Sequence, residues 1–164
     1  MITDFNKYII NESRSEYLAW KRKNVSLRGI SGDSTDGENN AGARFGSGLY
    51  SAALSNRDMA KKYGKVYFLV NAIPKNPKIV NDANLGEMWF QKVINIYCKE
   101  HGKEYDTIYF FKNTTIKDAM LDLGYDGFVI KGREYVNYKP ENVIYFEHEY
   151  QLENYYNNKI SQRK

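Results

Sequence analysis

The chain has 164 residues and a formal net charge of +4, with 27% charged and 15% aromatic residues. This length predicts one domain with its own core, and no apolar run approaches the ~20 residues of a transmembrane helix. The single cysteine excludes a disulfide framework and a cysteine-based zinc cluster, and it suits a reducing cytoplasm. Residues 1–20 lack a basic segment followed by an apolar core, so we expect no secretory signal.

The first half of the chain predicts two helices and three strands. One helix covers residues 1–24, with a break before Tyr17, and a second begins at a Ser55 cap and ends at Gly64. Between the first two strands, residues 31–48 form a glycine-rich loop that is either functional or a loose surface insertion. Alternating apolar residues predict these strands: Val25–Ile30, Gly48–Ala52 and Lys65–Val70, the last ended by Pro74 and Pro77.

The second half predicts two more helices and three more strands. The helix over residues 85–101 carries an apolar stripe that we expect in the core: Trp89, Val93, Ile96 and Tyr97. The next helix begins at Thr114 or Thr115, ends at Gly124 and points these residues inward: Ile116, Ala119, Met120 and Leu123. The strands are Asp126–Ile130, Gly132–Tyr138 and Val143–Phe146, and residues 151–164 read as a polar, frayed tail. Strands outnumber helices, which predicts a single α+β domain over residues 1–164 with a curved or split, mostly antiparallel sheet flanked by helices.

Glu134 is the unusual residue of the fifth predicted strand. By the two-residue period it shares a face with Val136 and Tyr138, after a Lys131-Gly132 turn. A carboxylate on a largely apolar face is costly unless something pairs with it or uses it. A charge that protects a sheet edge is the alternative interpretation.

Several chemistries do not fit the sequence. The two histidines, His101 and His148, have no cysteine or carboxylate at metal-ligand spacing, so no metal site is expected. The glycine loop lacks the Gly-Lys-Ser/Thr ending of a phosphate-binding loop, and the dinucleotide fingerprint is missing. Gly46-Ser47-Gly48 does not have the form of a hydrolase nucleophile elbow.

Three blocks of the sequence, taken in order, resemble the ADP-ribosyltransferases. The blocks span residues 27–146 and read as follows: Arg28-Gly29; Gly46-Ser47-Gly48-Leu49-Tyr50-Ser51-Ala52 with Ala60 and Tyr63; and Glu134-Tyr135-Val136-Asn137-Tyr138 with Asn142-Val143. The resemblance implies the split, mostly antiparallel sheet of that family and a site for NAD, used as a substrate.

The resemblance also implies residue roles. Glu134 would stabilise the positive charge that develops as nicotinamide leaves, and Arg28 would hold the phosphates or a ribose of NAD. The Gly29 backbone would bind the nicotinamide amide, and Tyr50 and Tyr63 would enclose the ring. The implied catalytic set is Glu134, Arg28 and Tyr50, and the implied NAD-binding set is Arg28, Gly29, Ser47, Gly48, Tyr50, Ser51 and Tyr63.

Each role has a structural alternative. Tyr50 and Tyr63 are also explained as core rings, and Arg28 as an ion-pair partner of Glu134 or a solvated charge. Arg28 together with Tyr50 mixes two subclasses of the family. Gly132 stands where arginine-modifying members carry Glu, which argues against arginine as the acceptor.

We therefore expect a cytoplasmic mono-ADP-ribosyltransferase, phage-encoded or toxin-like, that modifies a macromolecule of the host cell, with protein favoured. An inhibitor or antitoxin is a possible partner, and no membrane is expected. The alternatives are a transferase acting on nucleic acid, which the basic Lys21-Arg22-Lys23 motivates, and a catalytically silent domain that binds NAD or ADP-ribose.

Overall fold

The computed structural model describes residues 2–31, 45–102 and 115–163, with side chains omitted at residues 2–11, 115 and 163. In these ranges the helices are α1 Ile2–Asn24, α2 Arg57–Lys61, α3 Ala83–Glu100, α4 Thr115–Asp122 and α5 Glu149–Tyr155. The strands are β1 Val25–Ile30, β2 Leu49–Ala52, β3 Lys65–Val70, β4 Pro77–Val80, β5 Gly127–Ile130, β6 Glu134–Asn137 and β7 Ile144–Phe146. Shorter helical turns cover Leu54–Asn56 before α2, and Tyr156–Ile160 and Ser161–Arg163 after α5.

The described strands form one sheet in the order β4-β5-β6-β2-β1-β3-β7. The β4–β5 pair is parallel, and the other neighbours are antiparallel. The chain is thus a mixed α/β protein with a mostly antiparallel open sheet, which confirms the predicted class at that level.

The sheet is weakest in the middle, between β1 and β2. Over the described residues of these two strands the register joins a single pair, Leu27 with Ala52. By contrast, β1 and β3 are in register at six positions, and β2 and β6 at four. The ladder therefore opens where β1 continues to Arg28 and Gly29.

Two hydrophobic cores cover the same face of the sheet on either side of this opening. Side chains alternate along a strand, so the registers place Leu27, Ala52, Phe68, Phe128 and Val136 on one face. Helices α3 and α4 pack over β5 and β6, through the core of these residues: Phe90, Ile94, Cys98, Ile116, Ala119, Met120, Phe128, Ile130 and Val136. Helices α1, α2 and α5 contribute to the other core: Tyr17, Val25, Leu27, Ala52, Ala60, Phe68, Val70 and Leu152.

The two ends of the chain pack together, which corrects two expectations. Helix α1 runs to Asn24 without the predicted break. The predicted frayed tail is wrong, because residues 149–163 are helical and Leu152 and Tyr156 are buried. The ring centroid of Tyr156 lies 5.4 Å from that of Tyr17 in α1. Burying two large side chains stabilises the fold by about 1.5–3 kcal/mol each, which outweighs the polar composition of the tail.

Other predictions fail locally. A helical turn precedes α2, so Ser55 is not its cap, and its hydroxyl instead donates to the Gly132 carbonyl at 3.4 Å. Pro77 begins the edge strand β4, which the sequence analysis missed. In α3 the fully buried stripe lies one position beyond the expected one: Gly86, Phe90, Ile94 and Cys98. Trp89 and Tyr97 of the expected stripe are half-buried and pack against this core, whereas Ile96 is exposed, as is Leu123 beyond α4.

Candidate functional site

Glu134 begins β6 at the centre of the sheet, beside the opening between β1 and β2. It lies opposite Ala52 on β2 and Ile130 on β5, and it shares its face with Val136 and Tyr138, as expected. Glu134 is half-buried, and its strand is paired with β2 on one side and β5 on the other. The interpretation as a charge at a sheet edge is therefore wrong, because β6 is an interior strand.

Hydrogen bonds fix the turn before Glu134, and one of them comes from the residue that follows β2. Gly132 has φ of 72°, a backbone conformation that suits glycine, and the Arg133 N–H donates to the Ile130 carbonyl at 3.0 Å. The Ala53 N–H donates to the Arg133 carbonyl at 2.9 Å, extending the β2–β6 ladder past Glu134. The predicted turn is confirmed, and its clamping fixes the backbone of Glu134.

Tyr50 is the neighbour of Glu134 on the same face. It pairs with Val136, so it stands diagonally across from Glu134 on the adjacent strand. Burial raises the pKa of the Tyr50 phenol well above its usual value, and the nearby Glu134 charge raises it further. The phenol is thus neutral at physiological pH, and its ring packs against the α3–α4 core.

The Tyr50 hydroxyl anchors the chain just before β2. It donates to the Gly46 carbonyl at 2.7 Å and accepts from the Phe45 N–H at 3.0 Å. The buried Tyr138 hydroxyl adds a bond to the Phe45 carbonyl at 2.7 Å. Sequence reasoning missed this anchor, although the spacing of Gly46 and Tyr50 four residues apart was a usable signal.

Arg28 reaches into the opening between β1 and β2. Its Nη1 donates to the Tyr50 carbonyl at 2.9 Å, one strand away. Burial lowers the pKa of this guanidinium, while the phenol of Tyr145 raises it. In the described part of the chain Arg28 has no carboxylate partner, so the alternative of an Arg28–Glu134 ion pair is wrong.

Alternation places Arg28 on the sheet face opposite Glu134. The two are linked through the backbone of Tyr50 and do not meet directly. A guanidinium carries five donors, and within the described residues one of them is used, so the others can bind an anion that enters the opening.

Gly29 lies beneath the end of α2. A β-carbon at this position would lie 1.8 Å from the Ala60 carbonyl oxygen and 3.1 Å from the Tyr63 Cβ. Glycine is therefore required by the packing of α2, a reason that sequence analysis did not supply. Tyr63 is 66% exposed, which excludes its alternative as a core ring and leaves its faces open beside Gly29.

The remaining predicted residues belong to β2 and the segment before it. Ser47 is half-buried, and a β-carbon on Gly48 would lie 2.8 Å from the Asn137 carbonyl oxygen. Ser51 is buried on the face opposite Tyr50, and its hydroxyl makes no hydrogen bond within the described residues, as for Ser26. Residues 32–44 of the predicted functional loop lie outside the described residues.

Comparison of the chain with protein-family models, curated proteins and solved structures gave no match. None of the helices in the described ranges combines the length and apolar composition that a membrane span requires. Across residues 2–31, 45–102 and 115–163, no three His, Cys, Asp or Glu side chains are grouped to hold a metal ion.

The arrangement therefore places five of the predicted residues around one opening. Glu134 and Tyr50 share one face of the sheet, and Tyr63 lies over Gly29 on the other side of the opening. Arg28 crosses the opening from the opposite face of the sheet. A carboxylate, two aromatic rings and a guanidinium with spare donors can together accommodate a ligand that is flat, cationic in one part and anionic in another.

Proposed function

We propose that the protein is an NAD-dependent mono-ADP-ribosyltransferase of the ADP-ribosyltransferase-like fold. The observation that supports this most is the order β6-β2-β1, with Glu134, Tyr50 and Gly29 on neighbouring strands at the place where the ladder opens. The three sequence blocks that resemble the family lie far apart in the chain, around positions 28, 50 and 134. Their convergence on one opening favours a shared site over three unrelated packing roles.

In the proposed reaction the bond between C1′ of the ribose and the nicotinamide nitrogen breaks. Its electron pair leaves with the nitrogen, which makes nicotinamide neutral, and the ribose takes on oxocarbenium character. The Glu134 carboxylate accepts a hydrogen bond from the ribose hydroxyl next to C1′ and stabilises this charge as it forms. A nucleophile of the acceptor then bonds to C1′ and gives up its proton.

The other residues bind and orient NAD. Tyr63, exposed over Gly29, offers a ring face to the nicotinamide, and Tyr50 supplies the opposite wall. Arg28 directs its remaining donors to the pyrophosphate or a ribose. Because the Tyr50 phenol is neutral, it holds the site without adding negative charge beside the Glu134 carboxylate.

The proposed acceptor is a macromolecule of the host-cell cytoplasm, with protein favoured. The basic trio gives less support to nucleic acid than its sequence indicates, because Lys21 donates to Glu149 at 2.6 Å in an ion pair. Lys61 and Lys62 are exposed and directly precede Tyr63 in the chain.

A silent NAD-binding or ADP-ribose-binding domain is the second candidate. It is supported by the groups of the opening that can bind a ligand without any catalytic role for Glu134: the Arg28 guanidinium and the exposed Tyr63 ring. Such a domain would bind NAD without releasing nicotinamide.

The test uses purified wild type and Glu134→Gln with labelled NAD and a host-cell lysate. We expect nicotinamide release and label transfer in wild type, and a loss of about 10²–10³-fold in Glu134→Gln, which keeps the shape but removes the charge. Protein and nucleic-acid fractions are counted separately to name the acceptor class. Equal label transfer by wild type and Glu134→Gln would refute the proposal. Binding of NAD without release of nicotinamide in wild type would establish the silent domain.

A further inference from the structure

A cavity opens at the other end of strand β6 from Glu134. Its volume is about 570 Å³, within the range of small-molecule sites, and its wall includes Asn24 before β1, Asn71 after β3 and Asn137 at the end of β6. Asn137 is three residues along β6 from Glu134, which is about 10 Å, and points to the opposite face. This cavity is therefore separate from the proposed NAD site.

The cavity is lined by more cations than anions. Lys23, Lys75 and Lys139 are exposed, and no carboxylate of the described residues pairs with them. Two carboxylates also line it. Asp126 is engaged by the backbone, since its two oxygens accept from the Lys75 and Asn76 N–H groups at 2.9 and 2.8 Å. Glu141 is exposed on the wall and forms no ion pair with a described residue.

The wall is held in place by its own amide side chains. The buried Asn137 donates to the Ala72 carbonyl at 3.0 Å and accepts from the Lys139 N–H at 2.9 Å. Asn71 donates to the Asn142 carbonyl at 3.0 Å. Asn71 and Asn142 both have positive φ, 65° and 54°, a conformation that asparagine tolerates better than most residues and that costs free energy unless the surroundings fix it.

We propose that this cavity binds a nucleoside phosphate. The three lysines match a phosphate group, and Glu141 is suited to accept hydrogen bonds from ribose hydroxyls. The side chains of Asn24 and Asn142 retain amide groups that can pair with the edge of a base. The proposal does not depend on the transferase activity, because it draws on no residue of the Glu134 site.

The test titrates adenosine 5′-monophosphate, and separately a 5′-phosphorylated tetranucleotide, into the Glu134→Gln protein by calorimetry. We expect saturable binding that weakens about three- to fivefold in Lys23→Gln or Lys139→Gln, and about tenfold or more in the double variant. Lys99→Gln, an exposed lysine of α3 with the same change of charge, is the matched control and should bind as before. Since the substituted lysines are exposed, folding of the variants is checked simply by circular dichroism.

The two probes separate the sources of the ligand. Tighter binding of the tetranucleotide with a steeper salt dependence would assign the end of a nucleic acid strand, and equal binding would assign a free nucleotide. Absence of saturable binding, or an equal loss in Lys99→Gln, would overturn the proposal. A loss in Arg28→Gln that the lysine variants do not share would place the nucleotide at the Glu134 site and also overturn it.

Discussion

Two tyrosine hydroxyls fix the backbone where the chain enters β2. Tyr50 binds both Phe45 and Gly46, and Tyr138 binds Phe45 from β6. Gly46 has φ of 90°, and a β-carbon there would lie 2.7 Å from the Ile116 side chain. This small network of hydrogen bonds sets the position of the Tyr50 ring beside Glu134.

Replacing Tyr138 by Phe removes one bond of this anchor and leaves the ring. We expect the free energy of unfolding to fall by about 1–2 kcal/mol, because a buried hydrogen bond is lost without a substitute from water. Urea denaturation measures the change. Tyr135→Phe is the control: the Tyr135 hydroxyl makes no hydrogen bond within the described residues, and the variant should stay within about 0.5 kcal/mol of wild type. Equal losses of stability in Tyr138→Phe and Tyr135→Phe would contradict a stabilising role of the Tyr138 hydrogen bond.

The sequence predicted the importance of some single residues and not of others. Glu134 was identifiable because a carboxylate on an apolar strand face needs a partner or a use. The requirement for Gly29 was not, because the Ala60 carbonyl that occupies its β-carbon position comes from tertiary packing of α2. The exposure of Tyr63 likewise depends on where α2 ends on the sheet.

At the level of elements, the pairing of α1 with α5 joins the two ends of the chain. Leu152 is fully buried in the core that also contains Tyr17, and Tyr156 packs edge-on to the Tyr17 ring. Polar residues dominate the last fourteen positions, which is why composition predicted a frayed tail. The spacing of Leu152 and Tyr156, four residues apart on one helix face, carries the missing signal.

Leu152→Ala tests whether this packing stabilises the whole fold. We expect a loss of about 2–4 kcal/mol in the free energy of unfolding, from lost burial and the cavity left behind. Chemical denaturation monitored by tryptophan fluorescence reports it, since Trp20 packs against Tyr156. Tyr150→Ala, at a residue 62% exposed on the same helix, should change stability by less than about 0.5 kcal/mol. A small change in the free energy of unfolding in both variants would show that the packing of residues 149–163 does not stabilise the fold.

The Glu149 carboxylate gives the same interface a pH dependence. Burial alone would raise the pKa of Glu149, but hydrogen bonds from Lys21 and Tyr17, at 2.6 and 2.7 Å, outweigh it, so its pKa lies below the ordinary 4.5. A carboxylate with a lowered pKa in the folded state stabilises the protein above its unfolded pKa. That stabilisation is lost as the pH falls through the folded pKa.

Wild type should therefore lose more stability than Glu149→Gln between about pH 5 and pH 3. Thermal unfolding followed across that range compares the two slopes. Glu100→Gln is the control, because Glu100 is exposed and forms no ion pair with any described residue, and it should follow the wild-type slope. Parallel curves for wild type and Glu149→Gln would show that the carboxylate is not protonated at the interface.

The predictability of each element follows from how distinctive its pattern is. Strands β1 and β3 were predicted at their observed bounds because alternation, β-branched residues and flanking glycine or proline all agree. The sequence does not predict strand β4 because Pro77 indicates the end of a strand, although a proline can begin an edge strand, where its missing N–H costs nothing. In α3, apolar residues lie on opposite sides, with Phe90 buried and Met88 exposed, so periodicity alone could not choose the inward face.

For the whole molecule, the sequence supports the class of fold but not the positions of its sites. The three blocks around Arg28, Tyr50 and Glu134 are short and local, so they could be found by inspection. The lysine-lined cavity draws on the end of α1, the loops between β3 and β4 and between β6 and β7, and the segment before β5, and nothing in any one of them distinguishes it. Only the order of strands in the sheet brings such distant positions together.

The opening between β1 and β2 lies near the boundary of two cores on one face of the sheet. One core contains Phe68 with residues of β1 and β3 and includes Ala52 of β2, and the other contains Phe128 with residues of β5 and β6. Since the described residues of β1 and β2 are in register at one pair only, we expect a disturbance in one core to be transmitted weakly to the other core.

Hydrogen exchange on a matched pair of variants measures this transmission. Phe128→Leu should accelerate exchange of the β5 and β6 amides more than that of β3 and β7, and Phe68→Leu should do the reverse, because each change loosens the strands packed on its own core. Leucine is chosen to keep most of the buried volume, so that the fold survives and local opening is measured rather than global unfolding. Uniform acceleration across all strands in both variants would mean that the sheet opens as one unit and that the gap beside Glu134 is not a boundary. The reciprocal pattern would mean that each core stabilises mainly its own strands and that the gap between β1 and β2 limits transmission from one core to the other.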